Sequence, residues 1–581
     1  MNRRRLAVLL AFGVTFANTA PAAPLFDEYT LLRSMPADQL GFFRDRRPNA
    51  AGLFGKNIPT FIYSADQRGA MDLLTAGLGL TNDVDVSDGW RALEKTFTYQ
   101  TTAGDFNDIP ASVVFWMAWA NHAVWVLLNS PYADRPSPVV NPAGGYFTYR
   151  ERWLALRPQF ERSMNYLLTA ENRAILFTAD DDSPNRSLIN ACAYAFGALL
   201  LDSYSPAATV TAARAEAQVY VNNEFTNDKL HRSVDGVFRE KGGYDTSYQA
   251  VALVFFLYYW NQFPAQAFPA GMNQRERAWL AGRWLEERVP GSNVLDCTYD
   301  TRTGPNNANG EPKDVDVYLL KRALLYFGAM FRRQAAWDAA ARFDMGFVST
   351  NGLPPALFSE REIVAFAGVP ITNAFLASNF RLAPAYATNV PVPPTPAVSM
   401  TIGGLPAGLT LYSLETNSST GRRRFAGRVA SAGVYPLTVI MSNSVYGSTT
   451  STVNLRVVAP VEATFNDWQS LRYSPAERAF GMADAAATCA GSGIPNMIAY
   501  GLSQESGSAT PSAVEPQLSV ASGMASYLFF RGRSAATYRV LYSPDLSTWS
   551  DLAVNPGSAG ADVTVPLPVS SRGFVRLRVE Q

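Results

Sequence analysis

The spacing of apolar positions divides the chain into two textures. Over residues 24–345, long segments mix Leu, Ala, Trp and Arg without strand-like alternation, and short Gly/Pro/Asn stretches separate them. This pattern predicts helices at 113–129, 150–169, 187–202, 210–222, 247–262, 274–288 and 316–333. Several are apolar nearly all round, as expected of inner helices in a two-layer helical assembly. The expected fold of 24–345 is therefore an all-α domain, an α/α toroid, with a simple bundle as the alternative that periodicity does not separate from it. The run from Val113 to Leu128 holds Asn121 and His122 and reads as a buried helix.

After Glu360 the period becomes two. Residues 362–459 are rich in Val, Thr, Ser, Gly and Pro, with alternating runs such as 435–440 and 452–458, and predict a β-sandwich. Residues 465–581 read as a second, small β-rich unit. At the other end, Arg3, Arg4 and Arg5, an apolar run from Leu6 to Ala17 and the small-residue site Ala20-Pro21-Ala22 read as a signal peptide over 1–22. The expected location is secreted, periplasmic or at the cell surface, with no membrane span once that segment is removed.

Composition narrows the function. Lys+Arg and Asp+Glu both number 49 in 581 residues, so no basic footprint calls for nucleic acid. His122 and His231 are the two histidines, and Cys192, Cys297 and Cys489 are scattered, so no zinc spacing exists and neither metal nor cofactor is expected. The densest polar text in the helical region is Asp235-Gly-Val-Phe-Arg-Glu-Lys-Gly-Gly-Tyr-Asp-Thr-Ser-Tyr-Gln249, running straight into an apolar helix. A rigid helical frame can hold loop side chains there for chemistry; the plainer reading makes Asp235-Gly236 a turn and Asp245 or Thr246 an N-cap. Trp116 and Trp119 offer rings for sugar stacking, although their spacing also suits a core.

Three resemblances add to this. Gly368-Val-Pro370, Ala377-Ser-Asn379, Gly404-Leu-Pro-Ala-Gly-Leu-Thr410 and Phe425-Ala-Gly427 resemble a bacterial Ig-type repeat, which would make the proline-rich 389–396 an insertion inside that module. Gly493-Ile-Pro-Asn496, Tyr538 to Trp549 and Gly573-Phe-Val-Arg-Leu577 resemble a C-terminal module of secreted proteins from Verrucomicrobia-like bacteria. The Asp-Gly-x-Phe start, Tyr244-Asp-Thr-Ser-Tyr248 and Ser183-Pro-Asn-Arg-Ser-Leu-Ile189 resemble the active-site segments of the hyaluronate, chondroitin AC and xanthan lyases (polysaccharide lyase family 8), with Lys241 where that family has a histidine.

The last resemblance implies an enzyme that splits an acidic, uronate-containing polysaccharide by β-elimination. Asn185, Tyr248 and Arg302 would be catalytic, with Lys241, Glu240, Tyr244 and His231 lining the substrate site. The C5 proton of a uronate is too weakly acidic to leave unless the neighbouring carboxylate is offset, which Asn185, Lys241 or Arg302 would do while Tyr248 acts as base and then acid. Two other classes stay open: a glycoside hydrolase using Glu240 with Asp235 or Asp245, and a non-enzymatic adhesion protein. A monomer is expected.

Overall fold

The computed structural model describes residues 23–581 apart from 56–62, 181, 227–229, 232–235, 242, 265–267, 299, 301–314, 345–347, 351–352, 358–359, 376–397, 414–422, 490–492, 505–511, 514–515, 523 and 569–572. The protein is multidomain, with a helical part followed by two β-containing parts, each with its own apolar core.

The helical part runs α1 (Glu28–Ser34), α2 (Ala37–Gly41), α3 (Gly69–Leu80), α4 (Asp83–Phe97), α5 (Pro110–Leu128), α6 (Tyr149–Leu167), α7 (Ala170–Asp180), α8 (Pro184–Leu201), α9 (Ala207–Thr226), α10 (Thr246–Gln262), α11 (Gln274–Glu287), α12 (Val317–Met330) and α13 (Gln334–Ala341). A hairpin of β1 (Pro136–Val140) and β2 (Tyr146–Thr148) joins α5 to α6, and β3 (Val294–Asp296) pairs with β4 (Val348–Thr350). Among these, α5, α8 and α10 are buried on nearly every face, because their sequences carry almost no charge. α5 is long and apolar enough to cross a membrane, yet most of it lies inside the helical core. α3 packs on α5, α5 on α8, α8 on α10 and α10 on α12, while α4, α6, α9, α11 and α13 cover them from outside.

Contacts return from α12 to α3 through charge. Asp72 of α3 accepts from Arg322 of α12 at 2.5 Å and from Arg46 at 2.9 Å, and the first pair is buried. Arg322 lies over the rings of Trp119 and Phe43 at 4.8 and 4.9 Å and donates to Tyr258 Oη at 3.3 Å. Burial opposes the Arg322 charge, but Tyr258 and Asp72 outweigh it and raise its pKa.

The middle part packs a sheet ordered β5 (Glu362–Phe366), β11 (Gly447–Val458), β10 (Gly433–Asn443), β7 (Val398–Gly403) against a second ordered β6 (Ile371–Phe375), β9 (Arg423–Gly427), β8 (Leu409–Ser413). Leu437, Val439, Met441, Val453 and Leu455 alternate inward to meet Phe425 and Ile371.

The last part opens with α14 (Phe465–Arg472) and α15 (Pro475–Ala479), then α16 (Asn496–Leu502) and a pair formed by β12 (Ser503–Gln504) and β13 (Ser512–Ala513). Two three-stranded sheets follow, β14 (Gln517–Ala521), β15 (Met524–Arg531), β18 (Ala561–Pro566) and β17 (Ser550–Val554), β16 (Thr537–Ser543), β19 (Phe574–Glu580). Phe480 leaves this part and enters the helical core, its ring centroid 5.0 Å from Phe26, 5.3 Å from Trp260 and 5.5 Å from Phe331.

Removing one member of a buried ion pair strands the other, at a cost of about 3–5 kcal/mol, whereas an exposed pair is worth about 1 kcal/mol or less. Asp72→Ala should therefore shift the denaturant midpoint of the helical signal far more than Arg214→Ala, which breaks the exposed Arg214–Asp202 pair. Equal shifts in circular dichroism would show that the buried pair does not hold the helices together.

Candidate functional site

The helix starts lie together. The Ser64 N–H and hydroxyl, just ahead of α3, donate to the Asp108 carboxylate just ahead of α5, at 2.9 and 3.0 Å. Arg186, in the first turn of α8, reaches the Ala111 carbonyl in the first turn of α5 at 3.4 Å. The Lys241 N–H, ahead of α10, donates to the Asp182 carbonyl ahead of α8 at 2.9 Å. Arg68, ahead of α3, pairs with Asp316, the N-cap of α12. One face of the helical part thus carries the N-termini of α3, α5, α8, α10 and α12, each contributing partial positive charge.

Asn185 and Tyr248 stand level on that face. Deeper in the helices, Cys192 Sγ of α8 donates to the Phe255 carbonyl of α10 at 3.2 Å. Cys192 is seven residues beyond Asn185 and Phe255 seven beyond Tyr248, so α8 and α10 run parallel with the two candidates at one height. Helices in contact lie about 8–10 Å apart, so the starts of α8 and α10 are neighbours. Asn185 is buried and its Oδ1 accepts from the Arg186 N–H at 2.8 Å, leaving Nδ2 as the donor side. Tyr248 is half-buried, and its N–H donates at 3.1 Å to Asp245 Oδ1, the cap of α10. Asp300 fixes the same helix start, accepting from the Thr246 N–H and hydroxyl.

The loop ahead of α10 is held from several sides. Gly236 has φ +70°, and a Cβ there would fall 2.6 Å from the Ala281 nitrogen of α11, so the turn requires glycine. The Phe238 N–H donates to Gln249 Oε1 and the Arg239 N–H to the Leu230 carbonyl. Lys241 is exposed and left-handed at φ +50°, a conformation that costs a non-glycine residue about 1 kcal/mol.

Of the other expected residues, five are buried and one, Arg302, is not among the described residues. Glu240 and Tyr244 are buried, at 4% and 0% exposure. His231 is fully buried within Phe225, Phe238 and Phe256, and its Nδ1 accepts from Arg277 at 2.8 Å. Burial and the adjacent Arg277 charge hold it neutral, well below the usual imidazole range, so it acts as a core residue with no surface for a sugar. Trp116 and Trp119 are likewise core, at 0% and 2% exposure, which removes them as stacking platforms. Arg302 and Asp235 lie outside the described residues, as do the 1–22 segment and the 389–396 stretch.

Two features of this face escaped the sequence reading. Arg68 has no motif to announce it. Glu224, in the last turn of α9, is fully buried with neither carboxyl oxygen hydrogen-bonded, a position its surroundings in sequence do not mark. Burial, and then the nearby Glu240, push its pKa well above the usual carboxylate range despite Arg277.

No family model matches the chain, and no curated protein matches it. Solved structures that match in part include an alpha-galactosidase-like protein from Bacteroides fragilis NCTC 9343, at 21% identity and a TM-score of 0.13 over 18% of each chain. Another is the SrpA adhesin from Streptococcus sanguinis, at 11% identity and a TM-score of 0.15 over 31% of this chain and 88% of that one. The chain spans 18% of the galactosidase-like structure's length. At such scores neither a shared fold nor a shared function follows, and the lyase resemblance rests on its motifs.

A carboxyl whose folded pKa is raised binds its proton longer than the unfolded chain does, so it costs stability progressively as pH rises above about 4.5. Glu224→Gln should therefore leave the thermal midpoint nearly unchanged at acid pH and raise it relative to the parent at neutral and alkaline pH. A constant difference across the range would mean that Glu224 is not held protonated.

Proposed function

We propose that the chain is an exported, carbohydrate-active lyase acting on an acidic, uronate-containing polysaccharide, with its helices arranged as an α/α toroid and its β parts as Ig-like and C-terminal modules. The observation that carries this reading is the level placement of Asn185 and Tyr248 on parallel helix starts, beside the exposed Lys241.

The chemistry uses these groups without a cofactor. Asn185 Nδ2 donates to the uronate carboxylate and the Lys241 ammonium offsets its charge, so that the C5–H bond can give up its proton. The Tyr248 phenolate accepts that proton. The C5 electron pair forms the C4=C5 double bond as the C4–O4 bond breaks, and the Tyr248 hydroxyl returns the proton to the departing O4. The hydrolase alternative draws less support, because Asp245 is committed to capping α10.

Purified protein incubated with a panel of uronate polysaccharides should generate the ultraviolet absorbance of an unsaturated uronate. Tyr248→Phe should lower that rate by about 100-fold or more, as expected for loss of a general acid–base group, while leaving the thermal midpoint and substrate binding close to the parent's. Full activity in Tyr248→Phe would remove Tyr248 as the base. New reducing ends without absorbance would replace elimination by hydrolysis, and binding without turnover would leave the adhesion reading.

A further inference from the structure

We propose that the free edge of β5 is a docking site for the C-terminal end of an extended peptide, which adds as an antiparallel strand and sets its terminal carboxylate against Arg478. The proposal stands independently of the lyase reading.

A cavity of about 210 Å³ lies between the middle and last parts. Every residue of β5, from Glu362 to Phe366, lines it, together with the turn into β6 and with Ser470, Leu471 and Arg478 of α14 and α15. Side chains of a strand alternate between faces, so a cavity on one face would meet every second residue; one that meets them all follows the edge. β5 ends its sheet, with β11 as its neighbour. The Asn454 N–H donates to the Arg361 carbonyl and the Ala367 N–H to the Val458 carbonyl, both at 2.9 Å, so the odd-numbered residues face β11. In a parallel ladder the residues between them turn N–H and C=O the other way, which aims Glu362 and Val364 at the cavity. Among the described residues neither has a backbone partner on that side, and Val364 is 7% exposed. A buried main-chain edge without partners calls for another main chain, and strand addition supplies one.

The charges choose the end of that chain. Glu360 and Glu362 line the cavity, but each already holds an arginine, Arg283 at 3.3 Å and Arg456 at 2.8 Å. Arg478 has no ion pair among the described residues; its Nη1 donates to Ser470 Oγ at 2.9 Å. Burial lowers the Arg478 pKa and the field of Glu360 does not restore it, so the guanidinium is short of negative charge. That field also gives the location: Glu360 precedes β5, hence Arg478 stands by the first residues of the strand. A strand antiparallel to β5 ends there, with its terminal carboxylate in line for the guanidinium fork. The volume is below the roughly 300–1,000 Å³ of sites for drug-sized ligands, so the end of a chain fits where an oligosaccharide or a strand running through does not.

The test uses the full-length protein and acetylated tetrapeptides rich in Val and Thr, pooled by their last residue and ending in either a free carboxylate or a carboxamide. Pools retained by the protein are resolved by mass spectrometry, and the best sequence is titrated by calorimetry. The free acid should bind about ten-fold or more tightly than the carboxamide, and N-methylation of alternate amides should abolish binding in one of the two registers only. Arg478→Gln should bring the acid down to the affinity of the carboxamide and leave the carboxamide unchanged. Val364→Pro, tolerated because that N–H lies off the β11 ladder, should weaken both forms equally. Tyr248→Phe should bind as the parent does. The proposal is overturned if no pool is retained, if acid and carboxamide bind the parent equally, or if sodium acetate or a uronate tetrasaccharide displaces the peptide at equal concentration. Unchanged acid binding in a folded Arg478→Gln overturns it too; if that variant does not fold, the comparison of acid, carboxamide and N-methyl peptides on the parent decides.

Discussion

The buried charge pair between Asp72 and Arg322 is the constraint on which the site face depends. A charge taken out of water must keep its partner, so α3 and α12 cannot slide past each other without exposing or stranding one. The constraint then spreads through contacts with little freedom. Arg322 holds Tyr258, Tyr258 stacks on His122 at 3.7 Å, and His122 Nε2 meets Glu28 at 3.2 Å, while Glu28 accepts from Asn261. Elements α1, α3, α5, α10 and α12 are fixed in height by this one network. Glu28 and Asp72 lie in the first turns of α1 and α3, Arg322 in the second turn of α12, and His122 and Tyr258 about three turns into α5 and α10, so the network ties helix starts to helix middles.

Above that network the candidate groups are held by backbone geometry more than by side-chain pairing. Asp245 and Asp300 fix the start of α10, and the Lys241–Asp182 bond joins the two loops that lead into the helices carrying Asn185 and Tyr248. Beneath that loop His231 and Glu224 are buried beside the charged Arg277 and Glu240.

Much of the helical layout was legible because α5, α8 and α10 are long, apolar and bounded by Pro, Gly or Asp; their observed limits lie within three residues of those expected. The same uniformity hid which way individual rings point. A helix apolar on every side has no favoured face, so Trp116 and Trp119 could not be assigned to core or groove from spacing alone. The role of Asp245 as N-cap was readable from its place before the apolar run, whereas that of Arg68 arises only where α3, α5 and α12 meet. In the last part, the β texture masked α14 and α15, although Thr464 with Asp467 and Ser474 with Glu477 are capping boxes visible in sequence.

The seat of Phe480 against Phe26, Trp260 and Phe331 is supported by Arg275 over its ring, by the Arg332–Asp484 pair and by the Ser474 hydroxyl donating to Glu276. The helical and terminal parts therefore share a seam that was not built to be opened. A fragment cut after the last helix of the first part would present aromatic faces to water where Phe480 had been, and would be prone to self-association.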